Sequence, residues 1–144
     1  MGAASGSESV TINAPMDAVL AAVCDLPSQP KWFPGLISST VLATDDQGRA
    51  TRARQVNDVK VAKDEYELDY AYTDAGMSWT LASSSKAQKS SRGSWTLAPA
   101  GNGTKATLSL EIEPAIPLPG FLVKKTMNDM LKGATKGLKN YCES

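Results

Sequence analysis

The chain has 144 residues, 15 basic against 15 acidic side chains, two cysteines and no histidine. That length suits one domain with a self-sufficient core, and zero net charge gives no bulk attraction to nucleic acid or to an anionic membrane. Without histidine every Ser-His-Asp or Cys-His nucleophile is excluded, and Cys24 and Cys142 alone cannot complete a zinc site.

Residues 1–7 are small and polar and read as a flexible tail, with residues 8–144 forming the single domain. The tail has no basic stretch followed by an apolar one, so it is not a secretory signal. No run reaches the ~18 apolar residues of a membrane span. A cytoplasmic protein is expected, with both cysteines as small, buried or half-buried apolar groups. No metal and no cofactor is expected.

Val10 and Ile12 alternate within a short strand, Glu8–Asn13. Pro15 then suits the first turn of a helix, Asp17 suits its positive end, and Met16, Val19, Leu20 and Val23 form its apolar face. Pro27 ends it. A single helical turn is predicted over Gln29–Phe33, followed by a Pro34-Gly35 turn.

From Leu36 to Ile112 the pattern is a run of strands. Ser38–Thr44 is β-branched and ends at a turn over Asp45–Gly48; Arg49–Asp58 alternates polar and small residues. Val61–Thr73 is the clearest alternation, with Tyr66, Leu68, Tyr70 and Tyr72 on one face and Glu65, Glu67 and Asp69 on the other. Met77, Trp79 and Leu81 form one stripe, Gly93, Trp95 and Leu97 a second, and Ala106, Leu108, Leu110 and Ile112 a third. Pro99–Gly103 reads as a turn-rich loop with a hairpin signal at Gly101-Asn102-Gly103.

Pro114, Pro117 and Pro119 stiffen a linker into a long helix, Phe121–Cys142, whose apolar face includes Val123, Met127, Met130, Leu131, Ala134 and Leu138. Gly133 and Gly137 weaken it by about 1 kcal/mol each relative to alanine, so tertiary packing has to compensate. An antiparallel sheet with one wet face needs a cover for the other. The long helix is that cover, and a curved α+β half-barrel with a cavity between sheet and helix is the natural product.

Several segments carry a resemblance to a known family. They are the block Val10–Pro15 with its helix, Leu26–Gly35 with Pro30 ahead of Trp32, Ser78–Leu81, Gly93–Leu97, Gly103–Thr107 and Ile116–Phe121. In this order and spacing they resemble the polyketide cyclase/dehydrase and lipid-transport family of the START-like (SRPBCC, birch-pollen-allergen-like) superfamily, in its small single-domain actinobacterial form. The resemblance implies a helix-grip fold. In that fold a six- to seven-stranded curved antiparallel sheet wraps a long C-terminal helix, with two short helices after the first strand. It also implies a hydrophobic cavity, and says much less about chemistry.

The expected lining is Tyr66, Leu68, Tyr70, Trp79, Trp95, Leu108 and Leu110 on the sheet, faced by Met127, Met130 and Leu131, with Trp32 and Phe33 at the mouth. The competing reading is that these residues pack as core. Three inward tyrosines favour a ligand space, because buried hydroxyls need partners. Proton transfer, if any, would fall to Arg52, Arg54, Asp58, Asp64 or the tyrosines. Turned inward, Arg54 could hold a ligand carboxylate or polarise a ketone. Turned outward, the reading favoured here, Arg52 and Arg54 pair with Glu65, Glu67 and Asp69 across the wet face.

The leading expectation is a carrier or binder of a small hydrophobic ligand: a lipid, isoprenoid, quinone or polyketide. The alternatives are a cyclase/dehydrase-type enzyme and a protein-interaction module using the lysine face of the long helix (Lys124, Lys125, Lys132, Lys136, Lys139). No nucleic-acid partner and no stable membrane insertion is expected.

Overall fold

The structure is a computed structural model and describes residues 4–58 and 63–144. In chain order it has strand β1 (Ala4–Ile12), helix α1 (Met16–Cys24), a 3-10 segment (Leu26–Lys31), and strands β2 (Leu36–Thr44), β3 (Ala50–Asp58) and β4 (Lys63–Thr73). Strands β5 (Gly76–Leu81), β6 (Gln88–Ala100) and β7 (Gly103–Pro114) follow, and helix α2 (Gly120–Glu143) completes it. The seven strands form one antiparallel sheet in the order β1-β7-β6-β5-β4-β3-β2. This is the helix-grip arrangement, with α2 laid against the concave face.

Pro15 precedes α1 with extended backbone (ψ 157°), and Asp17 in the first turn accepts the Ala18 N–H at 2.8 Å. The 3-10 segment lies earlier than the predicted Gln29–Phe33 turn. Pro27 and Pro30, spaced three apart, suit the tighter winding, and the Ser28 hydroxyl donates to the Asp25 carbonyl at 2.8 Å. Strands β6 and β7 run to a two-residue turn at Gly101-Asn102, where Gly101 has φ +59°, so the predicted Pro99–Gly103 loop shrinks to a tight hairpin.

One boundary is corrected at the N-terminus. Ala4–Ser7, expected within a flexible tail, are the first half of β1 and pair with β7 from Ala4↔Ile112 onward. They lack large apolar residues because α2 lies directly over them. A side chain at Gly6 would come within 3.1 Å of Leu131 and 3.7 Å of Met127. Residues 1–3 of the expected tail, and Val61 and Ala62 of the expected fourth strand, lie outside the described residues.

The same logic seats the other half of α2. A Cβ at Gly137 would overlap the Trp32 carbonyl, so the helix reaches the backbone of the chain after the 3-10 segment only because that residue is glycine. The helix-weakening glycine is therefore a packing device. Around it Ile12, Val19, Val23, Leu26, Trp95, Leu108, Ala134 and Leu138 are completely or almost completely buried.

Candidate functional site

Half-buried apolar residues occur at both ends of the concave face: Met16, Leu20, Phe33 and Tyr72 near α1 and the 3-10 segment, and Tyr66, Leu81, Ile112 and Met130 toward the end where α2 begins. The close packing of α2 is with β1 and β7, and the 3-10 segment packs on β2. The middle strands β3, β4 and β5 therefore present their inner side chains between these two covers. Those side chains are Gln55, Tyr66, Leu68, Tyr70, Met77 and Trp79. The Trp79 ring lies across Gly93 of β6, which has no side chain to block it, and meets Tyr70 at 6.2 Å between ring centroids.

A polar cluster sits among these apolar groups. The Gln55 side-chain amide lies within hydrogen-bonding reach of Gln29 Oε1 (2.8 Å), Tyr70 Oη (3.2 Å) and Ser39 Oγ (3.3 Å), and the Tyr66 hydroxyl donates to Gln55 Oε1 at 3.3 Å. Gln29, Ser39 and Gln55 are all buried. Burial raises the pKa of both Tyr66 and Tyr70 far above the ordinary phenol value. Asp64 adds to the effect at Tyr66, while Tyr66 and Tyr72 add to it at Tyr70. These hydroxyls stay protonated and neutral at any physiological pH. Tyr72, half-buried, donates its hydroxyl to the Ala50 carbonyl at 2.6 Å, and burial pushes its pKa to about 12.

Asp64 lies one inward position before Tyr66 and is 1% exposed. Its carboxylate accepts from Ser85 Oγ (2.8 Å), Gln88 Nε2 (3.1 Å) and the Ala87 N–H (3.3 Å). Those bonds tie the β5–β6 connection to β4 and employ the carboxylate structurally.

The candidate lining divides as follows. Tyr66, Leu68, Tyr70, Trp79, Leu110 and Met130 lie along the middle of the interior or toward the end where α2 begins. Trp95 and Leu108 lie at its buried floor, and Met127 and Leu131 face β1 beside Gly6. Trp32, expected at a mouth, is 5% exposed and packs edge-on against Trp95 at 5.8 Å, with half-buried Phe33 also at 5.8 Å. Gly137 lets α2 press onto the Trp32 backbone beside this stack. Trp32 and Phe33 also line an open groove of about 650 Å³ between residues 30–37 and 137–141, which does not include Tyr66 or Tyr70.

Arg54 leaves the candidate set. It projects from the outer face, where Nη2 meets Glu67 Oε2 at 3.1 Å and Nε meets Glu65 Oε2 at 3.6 Å. Arg52 does the same with Asp69 at 2.7 Å. Strand alternation forces this outcome: with Ala53 and Gln55 inward, both arginines must point out. Gln55, Gln29 and Ser39 were not expected, since an inward polar residue reads as a wet position. The parity of Arg52 and Arg54 was the signal that could have placed Gln55. Both cysteines are half-buried free thiols whose pKa is raised by burial.

Three solved structures share the fold across nearly the whole chain. A START superfamily protein from Mycobacterium smegmatis is 22% identical with TM-score 0.90, covering 99% of this chain and 98% of that one. The Zhui aromatase/cyclase from Streptomyces sp. R1128 is 12% identical with TM-score 0.80, covering 99% and 94%. The STAR-related lipid transfer protein of Xanthomonas axonopodis is 18% identical with TM-score 0.72, covering 97% and 86%. At these identities the likeness is one of fold. No curated protein matches the chain. Among the described residues no helix is long and apolar enough to cross a membrane. The family described as polyketide cyclase / dehydrase and lipid transport matches residues 3–143, and the chain belongs to that family.

Proposed function

We propose that the chain binds or carries a small hydrophobic ligand (a lipid, isoprenoid, quinone or polyketide) between its concave sheet and α2. The supporting observation is the placement of a neutral polar cluster, Gln55 with Tyr66 and Tyr70, inside an otherwise apolar interior, with Tyr66 half-buried. A core with no other task would fill these positions with leucine, isoleucine or phenylalanine. The family's description and the names of two neighbours, an aromatase/cyclase and a lipid transfer protein, agree with a hydrophobic ligand.

In this reading the ligand enters at the end where α2 begins. There the linker and first turn expose Ile116, Leu118, Phe121 and Leu122, with Phe121 76% exposed. Binding is driven by removal of apolar surface from water, roughly 25 cal/mol per Å² before the costs of association. A cyclase or dehydrase step is the weaker reading. It needs a proton acceptor beside the ligand, and the phenols here are held protonated while Asp64 is occupied by its own chain. An interaction module built on the lysine face gains little support, since Lys125 and Lys139 pair within α2 with Asp129 and Glu143.

Native mass spectrometry of protein purified from its own host, followed by organic extraction, tests the proposal. A co-purifying hydrophobic mass is expected. A clean apo mass that persists after incubation with a total lipid extract from the host would overturn it.

A further inference from the structure

The polar cluster carries information about which ligands fit, and hydrogen counting extracts it. The Gln55 amide nitrogen has two hydrogens but three acceptors within reach: Gln29, Tyr70 and Ser39. In this orientation Tyr66 donates to the amide oxygen and Tyr70 only accepts, so the Tyr70 hydrogen has no acceptor among the described residues. Turning the amide over, with the Gln29 amide turned as well so that its N–H faces the Gln55 oxygen, lets Tyr70 donate to that oxygen. Tyr66 then becomes an acceptor of the amide N–H, and its own hydrogen is left over. Either way one phenol O–H remains undonated. Among the described residues the indole N–H groups of Trp32 and Trp95, in the separate aromatic stack, are also buried without an acceptor. The cluster itself thus holds one neutral phenol donor to spare.

Charge is equally one-sided. The arginines of β3 and β6 lie outside, paired with Glu65, Glu67, Asp69 and Glu111. Among the described residues the fully buried ionic side chain is Asp64, on the same face of β4 as Tyr66. A ligand carboxylate placed against the phenols would lose its water, meet no buried cation among the described residues and lie beside that group.

We infer that the interior selects an uncharged apolar molecule presenting a carbonyl-type oxygen to the Gln55–Tyr66–Tyr70 cluster, and excludes molecules carrying a carboxylate. The inference rests on the ligand-binding reading above and narrows it. Such an oxygen accepts the leftover phenol hydrogen with no proton transfer and no counter-ion, while the rest of the molecule replaces water along Leu68, Trp79 and Leu110.

Three naphthalene probes of one shape test it: 2-ethylnaphthalene, 2-acetylnaphthalene and 2-naphthoate, titrated at pH 7.5 by calorimetry and by backbone-amide NMR. The ketone is expected to bind about tenfold more tightly than the hydrocarbon, equivalent to about 1.4 kcal/mol, and the carboxylate more weakly than either. In the Tyr66→Phe/Tyr70→Phe double variant the ketone's advantage should disappear while hydrocarbon affinity is kept. Arg54→Ala should leave all three affinities unchanged. Carboxylate binding equal to or tighter than the ketone, or a ketone advantage that survives the double variant, overturns the inference but leaves the ligand-binding reading standing. If none of the three probes binds, the inference falls, and the ligand-binding reading is decided by the native mass measurement. Should the double variant fail to fold, the ranking of the three probes on the unaltered protein decides alone.

Discussion

Tyr70 and Tyr66 tie the interior to pH in a way that can be measured. Burial raises their pKa in the folded chain above the unfolded value of about 10. A group with a raised folded pKa contributes stability that is complete below the unfolded pKa and is lost as pH rises beyond it toward the folded value. The protein should therefore hold its stability to about pH 10 and lose it progressively above. Urea midpoints taken from pH 8 to pH 11 check this, and in Tyr70→Phe the alkaline decline should be shallower. At neutral pH the same variant should change little in stability, because Gln55 keeps two acceptors, Gln29 and Ser39, for its two amide hydrogens. An identical alkaline profile in the variant would mean that Tyr70 does not remain neutral through burial.

At the level of elements, the C-terminal part of α2 is held by two different kinds of physics. Near its C-terminus Glu143 accepts the Asn13 N–H at 2.7 Å and the Lys139 ammonium at 2.6 Å, while Lys139 also reaches the Thr11 carbonyl at 2.8 Å. These bonds hold the Glu143 carboxyl below its ordinary pKa. Their contribution is present above the unfolded carboxylate range and fades as pH falls through the lowered folded value. Glu143→Gln should speed hydrogen exchange at the Asn13 amide at neutral pH, and an unchanged rate there would show that the clip does not hold. Further along the helix the restraint is steric. Gly137→Ala should destabilise the protein by about 2 kcal/mol or more, although alanine is the better helix former by about 1 kcal/mol, because its methyl group displaces the Trp32 backbone. Gly120→Ala, with open space around it, should be neutral or slightly stabilising by the same thermal-melt measurement. Much of this architecture was legible in the sequence: periods of two and near three and a half located the strands and α2. What was hidden is tertiary in origin. Ala4–Ser7 carry no apolar period because the Met127 and Leu131 side chains of α2 lie on Gly6 and leave no room for another. Gln55 sits inward against its polarity because Gln29, Ser39 and two tyrosines receive it. Nothing local reveals that Gly137 brings the helix onto the Trp32 backbone.

For the whole molecule, the order of the strands in space departs from their order in the chain at one place. Neighbours β2 through β7 follow one another, but β1 pairs with β7, joining Ala4 to Ile112 and Ile12 to Thr104. Ion pairs on the outer face, such as Arg52–Asp69 and Arg92–Glu111, are exposed and add little to overall stability, so 0.5 M salt should leave the melting temperature nearly unchanged. The β1–β7 seam matters more, because loop closure over about 100 residues is entropically dear and comes late. In pulse-labelled refolding, amides of β1 should gain protection after those of β5 and β6, and simultaneous protection would contradict that order. In the cell the seam also sets a timetable. At roughly 5–20 residues per second of synthesis, the first strand leaves the ribosome about 5–20 s before its partner exists. Through that interval the inner face of α1 has no finished wall to rest on, and nascent-chain shielding must bridge the gap until the last strand and the long helix emerge together.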